Sequence, residues 1–131
     1  MKPNNPPEFT ALIGLDWGEK SHAIALEPAD GSTETSTLEH SAESLHLWLD
    51  QLEQRFGARP VAIAIETDQG AVVYALLERP WITIYPIHPA TSTRHRTRFR
   101  PSGAADDLPD ALVLLSLLQA SPPAFAPAPT R

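Results

Sequence analysis

The sequence predicts a single α/β domain built on a five-stranded mixed sheet with helices on both faces. Three β-rich segments come first along the chain, which is typical of an antiparallel meander. Two further short apolar segments then alternate with helical patterns, the order expected of α-β units with parallel strands. The chain has 131 residues, 42% of them hydrophobic, which suits one packed core rather than two.

The first part of the chain contains the meander. Segments 12–17 and 22–27 are rich in β-favouring residues and flank a short polar break, so together they predict a hairpin. Asp30-Gly31 is a strong turn signal. The alternating threonines of 32–38 predict a third strand at the edge of the sheet.

Segment 42–56 predicts an amphipathic helix that follows the meander. Ser41 is its predicted N-cap, Glu43 in the first turn favours the helix dipole, and Gly57 is placed to end it. Its apolar residues recur at helical spacing: Leu45, Trp48, Leu49, Leu52 and Phe56.

The second half of the chain alternates strands with helices. The β-branched run 60–66 predicts a buried strand, and 69–78 predicts a short helix that ends before Pro80. Segment 81–85 predicts the fifth strand, and the apolar segment 107–119 predicts the closing helix. The predicted order is therefore β-β-β-α-β-α-β-α.

Composition limits where the chain folds and what it binds. Prolines cluster at both ends, which predicts a poorly ordered head over 1–8, a folded domain over 9–120 and a Pro/Ala-rich tail over 121–131. The absence of cysteine excludes disulfides and thiolate metal sites, and no apolar run approaches the ~20 residues of a membrane helix. We therefore expect a cytoplasmic protein. The formal charge of −6 argues against a general DNA-coating protein.

Two predicted strands each end in an acid on their less bulky face. Alternation places Asp16 on the face of Gly14 in the first strand, and Glu66 on the face of Ala62 and Ala64 in the fourth. If these strands are parallel neighbours, the two acids lie side by side at the carboxyl ends, where α/β sheets usually hold active sites. Taken singly, an acid in this position is more often a residue that merely ends a strand, and only the combination with the other acids favours a site.

Asp107 and Asp110 lie three residues apart, a spacing that stacks both side chains on one helix face. Pro109 between them is tolerated only in a first helical turn, so the pair marks a helix start. Acids at this position also act as ordinary caps, the role we assign to Asp106. A cluster of four carboxylates needs a cation to offset its repulsion, and hard oxygen ligands suit Mg²⁺ or Mn²⁺.

These blocks resemble the DEDD-type insertion-sequence transposases, the Piv-like family whose N-terminal domain is similar to the RuvC resolvase. The opening strand is matched by 13–17 with Lys20 and 22–25, and the second acid by 65–67. The third block runs from Ile87-His88-Pro89 through an arginine-rich stretch to a glycine and the D-x-x-D-A pattern of 107–111. The resemblance covers roughly residues 11–120.

The resemblance implies a ribonuclease-H-like fold and a transposase or recombinase that carries out metal-dependent phosphoryl transfer on DNA. Asp16, Glu66, Asp107 and Asp110 would be its catalytic and metal-binding tetrad. It also implies a homo-oligomeric complex, guided by RNA in some members. Ala105 stands where the family has a basic residue, and His88 replaces the usual asparagine. The family's serine-bearing C-terminal domain is not matched, so we expect this chain to be incomplete as an isolated enzyme.

Four of the ten basic residues alternate within seven positions, at Arg94, Arg96, Arg98 and Arg100. If the backbone is extended, all four face one way and can follow nucleic-acid phosphates. A helical backbone would spread their charge around the axis, and a solvated loop is the non-functional alternative. The five histidines show no metal-ligand spacing, and we interpret them as surface or structural residues.

Two other functions remain open at this point. Actin-like ATPases also begin with a strand that ends in aspartate and glycine, but they need a second phosphate loop and a much longer chain. A non-catalytic remnant that binds nucleic acid or a partner protein would keep the fold and lose the reaction.

Overall fold

The computed structural model describes residues 9–18, 20–66, 70–91, 94 and 110–120. Within these ranges, five strands and three continuous helices follow one another in the predicted order, and residues 89–91 and 94 are also helical. They are β1 (Ala11–Trp17), β2 (Ser21–Pro28), β3 (Glu34–Glu39), α1 (Ala42–Phe56), β4 (Val61–Glu66), α2 (Gly70–Leu77), β5 (Ile82–Ile87) and α3 (Asp110–Ala120). The predicted head and tail lie outside the described residues.

The strands form one mixed sheet in the order β3-β2-β1-β4-β5. β1 pairs antiparallel with β2, and β2 antiparallel with β3, which gives the predicted meander with β3 at an edge. β4 lies parallel to β1 on one side and parallel to β5 on the other. The predicted α/β fold class is confirmed, and β1 and β4 are parallel neighbours.

Two strand boundaries differ from the prediction by two residues, for local reasons, and the other strand differences are of one residue. β3 starts at Glu34 rather than at 32, because the Ser32 amide donates to the Asp30 carboxylate over 2.8 Å and extends the turn. β5 continues to Ile87 through Pro86, which the prediction had excluded. A proline is tolerated there because β5 is an edge strand, where a missing N–H need not break a ladder.

The ends of α1 are as predicted. The Ser41 hydroxyl accepts a hydrogen bond from the Ser44 amide over 3.0 Å, and Gly57 adopts a left-handed conformation with φ 69°. The Gly57 amide then donates to the Glu53 carbonyl over 2.8 Å. These contacts satisfy backbone groups that a helix end would otherwise leave unpaired.

The sheet is covered by helices on both faces. α1 and α2 cover the bulky face, where Ile13, Leu15 and Ile63 are fully buried. α3 covers the other face, where the strands carry smaller residues such as Ala62 and Ala64. None of the described helices is long and apolar enough to cross a membrane.

Candidate active site

α3 lies directly on the backbone of β1 at Gly14. A Cβ atom added to Gly14 would collide with the Ala111 carbonyl oxygen and would lie 2.6 Å from the Leu115 amide nitrogen. Only glycine allows a helix backbone to approach a strand this closely. Gly14 therefore sets the height of α3 above the sheet.

The direction of α3 follows from its contacts along the strands. Its first turn contacts Gly14, the middle residue of β1, through Ala111. At its other end, the Gln119 side chain donates to the Glu27 carboxylate over 2.7 Å, and Glu27 is the strand partner of Leu12. α3 thus runs antiparallel to β1 and begins at the edge of the sheet where β1 ends.

Asp16 and Glu66 occupy equivalent positions on neighbouring strands. The paired register of β1 and β4 runs from Ala11 beside Val61 to Gly14 beside Ala64. Continued two residues along each strand, the same register would place Asp16 alongside Glu66. Both side chains are half-buried and lie on the face that α3 covers. The parallel pairing of β1 with β4 is therefore confirmed, and the side-by-side placement of the two acids stays a prediction from it.

Asp110 is the first residue of α3 and is exposed. Since its neighbour Ala111 contacts Gly14, Asp110 begins the helix on the same face and at the same edge as Asp16. Asp107 lies outside the described residues. Within the described ranges, no three histidine, aspartate or glutamate side chains form a group that could hold a metal ion. Convergence of the predicted tetrad on a metal stays a prediction.

A histidine pair lies beneath the turn that follows Asp16. His22 is 1% exposed, and its ring stacks on Trp17, its strand partner, with centroids 3.3 Å apart and planes inclined by 6°. Its Nε2 faces Nδ1 of His40 at 3.2 Å. The histidine spacing gave no indication of this pair, although the hairpin register could have placed His22 against Trp17. The interpretation of His22 as structural rather than metal-binding is consistent with its burial.

Burial, and then the nearby His40, lower the pKa of His22 below its ordinary value of 6.5. The folded chain therefore keeps this imidazole neutral, while the unfolded chain takes up a proton once the pH falls below about 6.5. We expect the free energy of unfolding to decrease as the pH is lowered from 6.5, by at most about 1.4 kcal/mol per pH unit from this group. Urea unfolding at a series of pH values would measure it.

The control for this pH dependence is His22→Asn, which has no group that titrates in this range. The variant is expected to lose the decrease just below pH 6.5. It should keep the losses at lower pH from Asp30 and Glu34, whose pKa values are lowered by hydrogen bonds from Ser32 and Arg55 respectively. An unchanged pH profile in His22→Asn would contradict the assignment.

The arginine-rich stretch is described at one position only. Arg94 has an exposed side chain and a helical backbone. At this residue the backbone is therefore not the extended ribbon that would turn all four arginines the same way. Arg96, Arg98 and Arg100 lie outside the described residues. The predicted arginine ribbon therefore stays a prediction.

Comparison with known sequences identifies the family to which the chain belongs. Residues 13–130 match the transposase family named for DEDD and IS110. The chain belongs to the DEDD transposase family of the IS110 type. The match includes the three described acids and all four arginines, and it confirms the resemblance drawn from the motif blocks.

Two curated relatives of this IS110-type chain carry transposase names. Transposase y4uE of Sinorhizobium fredii is 34% identical over 116 residues, which is 86% of this chain and 32% of the relative. The mini-circle transposase for IS117 of Streptomyces coelicolor is 30% identical over 124 residues, 92% of this chain and 30% of the relative. The chain thus spans about a third of the length of these two relatives.

The fold of this IS110-type domain is similar to that of the Thermus thermophilus RuvC structure. The two superpose with a TM-score of 0.55 and 14% sequence identity, over 90% of this chain and 99% of that one. At this identity the similarity concerns the fold alone, and it confirms the ribonuclease-H-like, RuvC-like architecture.

Proposed function

We propose that this transposase-family domain catalyses metal-dependent phosphoryl transfer on DNA, using Asp16, Glu66, Asp107 and Asp110. The observation that carries the proposal is the parallel pairing of β1 with β4, in a register that would bring Asp16 and Glu66 together if it continued two residues past Gly14 and Ala64, with the first turn of α3 on Gly14. Strands this deeply buried hold such acids rigidly, since Leu15 and Ile65, the residues that directly precede them, are fully inaccessible.

The residues at this edge fit a hard divalent cation such as Mg²⁺ or Mn²⁺. All the proposed ligands are carboxylates, and hard cations of this kind prefer oxygen donors. Asp16 and Glu66 would hold the ion from the sheet, and Asp107 and Asp110 from the start of α3. When bound, the metal would polarise a phosphate and offset the charge that develops during an in-line displacement.

The chain itself contributes position and electrostatics to this site. Gly14 lets α3 approach the sheet, so the first helical turn lies beside the strand-end acids. The amino end of α3 carries partial positive charge, which reduces the repulsion among carboxylates there and favours an incoming phosphate. Removing either Asp16 or Glu66 would leave the cation with only one of its two proposed ligands from the sheet.

DNA is the substrate that we propose, with Arg94, Arg96, Arg98 and Arg100 as its phosphate contacts. The support is the match to the transposase family together with the exposure of Arg94. The same resemblance extends the proposal to a homo-oligomeric complex, with a guide RNA in some family members.

Mn²⁺ is expected to stabilise the folded chain. A ligand at about 100 times its dissociation constant adds about 2.7 kcal/mol to the free energy of unfolding, because it binds only the folded state. Thermal unfolding with and without millimolar Mn²⁺ or Mg²⁺ would measure the shift. Asp16→Asn and Glu66→Gln should each abolish it.

Glu78→Gln is the matched control, since it removes one negative charge from an exposed acid just after α2. Its response to Mn²⁺ should equal that of the unmodified chain. A chain that shows no metal response would contradict the proposed metal chemistry and favour a non-catalytic remnant of the fold.

A further inference from the structure

The turn that follows Asp16 is held by hydrogen bonds at both of its ends. The Gly18 amide donates to Nδ1 of His22 over 3.0 Å, and the His40 amide donates to the Lys20 carbonyl over 3.2 Å. A Cβ atom at Gly18 would lie 2.5 Å from the Ser21 carbonyl oxygen, so the turn also closes tightly on itself. The described backbone after Asp16 is therefore fixed by the two histidines.

The hydrogen bonds determine which ring nitrogens carry protons. The Gly18 amide can only donate, so Nδ1 of His22 accepts and the neutral ring carries its proton on Nε2. Nε2 of His22 lies 3.2 Å from Nδ1 of His40, so Nε2–H donates this hydrogen bond and Nδ1 of His40 accepts it. The result is a hydrogen-bond relay in which the Gly18 amide donates to His22 and His22 donates to His40.

The relay acts on the backbone next to Asp16 from the opposite face of the sheet. Trp17 and His22 lie on the α1 face of the sheet, and Asp16 lies on the α3 face. Stacking holds the Trp17 ring, and the hydrogen bond to His22 holds the Gly18 amide. Since these two residues directly follow Asp16, their restraint sets the backbone from which its carboxylate projects.

We propose that His22 and His40 are positioning residues that aim the Asp16 carboxylate through the Trp17–Gly18 backbone. The inference rests on the proposed role of Asp16 as a metal ligand. Partners that orient a metal's ligands typically affect metal affinity by about 10–100-fold when they are removed.

Two substitutions of His22 separate positioning from packing. In His22→Asn, the side-chain oxygen can take the place of Nδ1 and accept from the Gly18 amide. In His22→Gln, the amide group reaches the place of Nε2 and keeps only the contact with His40. Both variants lose the ring that stacks on Trp17, so a role limited to packing would affect them equally.

Mn²⁺ titration of the folded variants is the first measurement. We expect His22→Asn to bind within a few-fold of the unmodified chain, and His22→Gln to bind about 10–100-fold more weakly. His40→Ala changes an exposed residue and removes the same His22–His40 contact that His22→Asn lacks, so it should weaken binding by a similar few-fold factor even if the His22 variants fold poorly. Equal affinities in His22→Asn and His22→Gln would overturn the proposal.

NMR of the metal-free chain is the second measurement, and it tests the positioning of the Asp16 carboxylate separately from metal binding. The carboxyl carbon shift of Asp16 and the hydrogen exchange of the Gly18 amide should change in His22→Gln and stay close to their original values in His22→Asn. An unmodified chain that does not bind Mn²⁺ would refute the metal site alone. An Asp16 shift that is insensitive to both substitutions would refute the positioning role alone.

Discussion

Gly14→Ala is expected to destabilise the fold by about 3 kcal/mol, the upper part of the usual range for overpacking. The added methyl group would meet the Ala111 carbonyl oxygen and the Leu115 amide nitrogen, which are backbone atoms and cannot rotate away. α3 would have to lift from the sheet and give up the burial of residues such as Leu118. Urea unfolding would measure the loss.

Gly31→Asn is the control for Gly14→Ala. Gly31 has φ 87° and open space where a Cβ would be, and asparagine tolerates that conformation. Its effect should stay within about 0.5 kcal/mol, as for most surface substitutions. If Gly14→Ala were as mild as Gly31→Asn, the close seating of α3 on β1 would be wrong.

The lifted helix should also impair the proposed metal site. Asp110 starts α3, whereas Asp16 and Glu66 belong to the sheet, so raising the helix separates the two halves of the ligand set. Any Mn²⁺ stabilisation should therefore be smaller in folded Gly14→Ala than in the unmodified chain. An equal metal response would show that the sheet acids bind the ion without α3.

Changing Arg94, Arg96, Arg98 and Arg100 together to alanine should weaken DNA binding and flatten its salt dependence. Each lost phosphate contact reduces the slope of log affinity against log salt by about 0.9 for duplex DNA, so four contacts amount to about 3.6. The chain is acidic overall, with a formal charge of −6, and would otherwise repel phosphates. Gel-shift titrations at several salt concentrations would measure both effects.

Arg59→Ala provides the comparison for the four-arginine variant. Arg59 precedes β4, at the opposite end of the strand from Glu66, and its Nε donates to the Phe56 carbonyl over 2.9 Å. Its loss should leave the salt slope unchanged. DNA binding that survives the fourfold change with its salt dependence intact would remove the arginine stretch from the proposed interface.

Local signals in the sequence determined most of the elements. The cap at Ser41 and the stop at Gly57 were predictable because such residues satisfy helix-end groups without any tertiary partner. The acid at the end of each less bulky strand face was likewise visible, since alternation along a strand requires only the local conformation. The order of elements and the fold class followed from these signals.

The tertiary structure decided which elements meet. Nothing local in the chain indicates that β4 lies beside β1 in the register that pairs Gly14 with Ala64, since strand pairing depends on contacts distant in sequence. The close contact of α3 with Gly14 likewise joins backbone segments almost 100 residues apart in the sequence. The hydrophobic periodicity of the chain could not predict it.

The histidine pair shows the same division. His22 and His40 are 18 residues apart and have no metal-ligand spacing, so the sequence indicated only that they are surface or structural. The hairpin register places His22 opposite Trp17, and the end of β3 brings His40 to Nε2 of His22. The sequence by itself determined the acids, the caps and the strand faces, because these depend on neighbours along the chain. Only the folded sheet decided which acids and which histidines are neighbours in space.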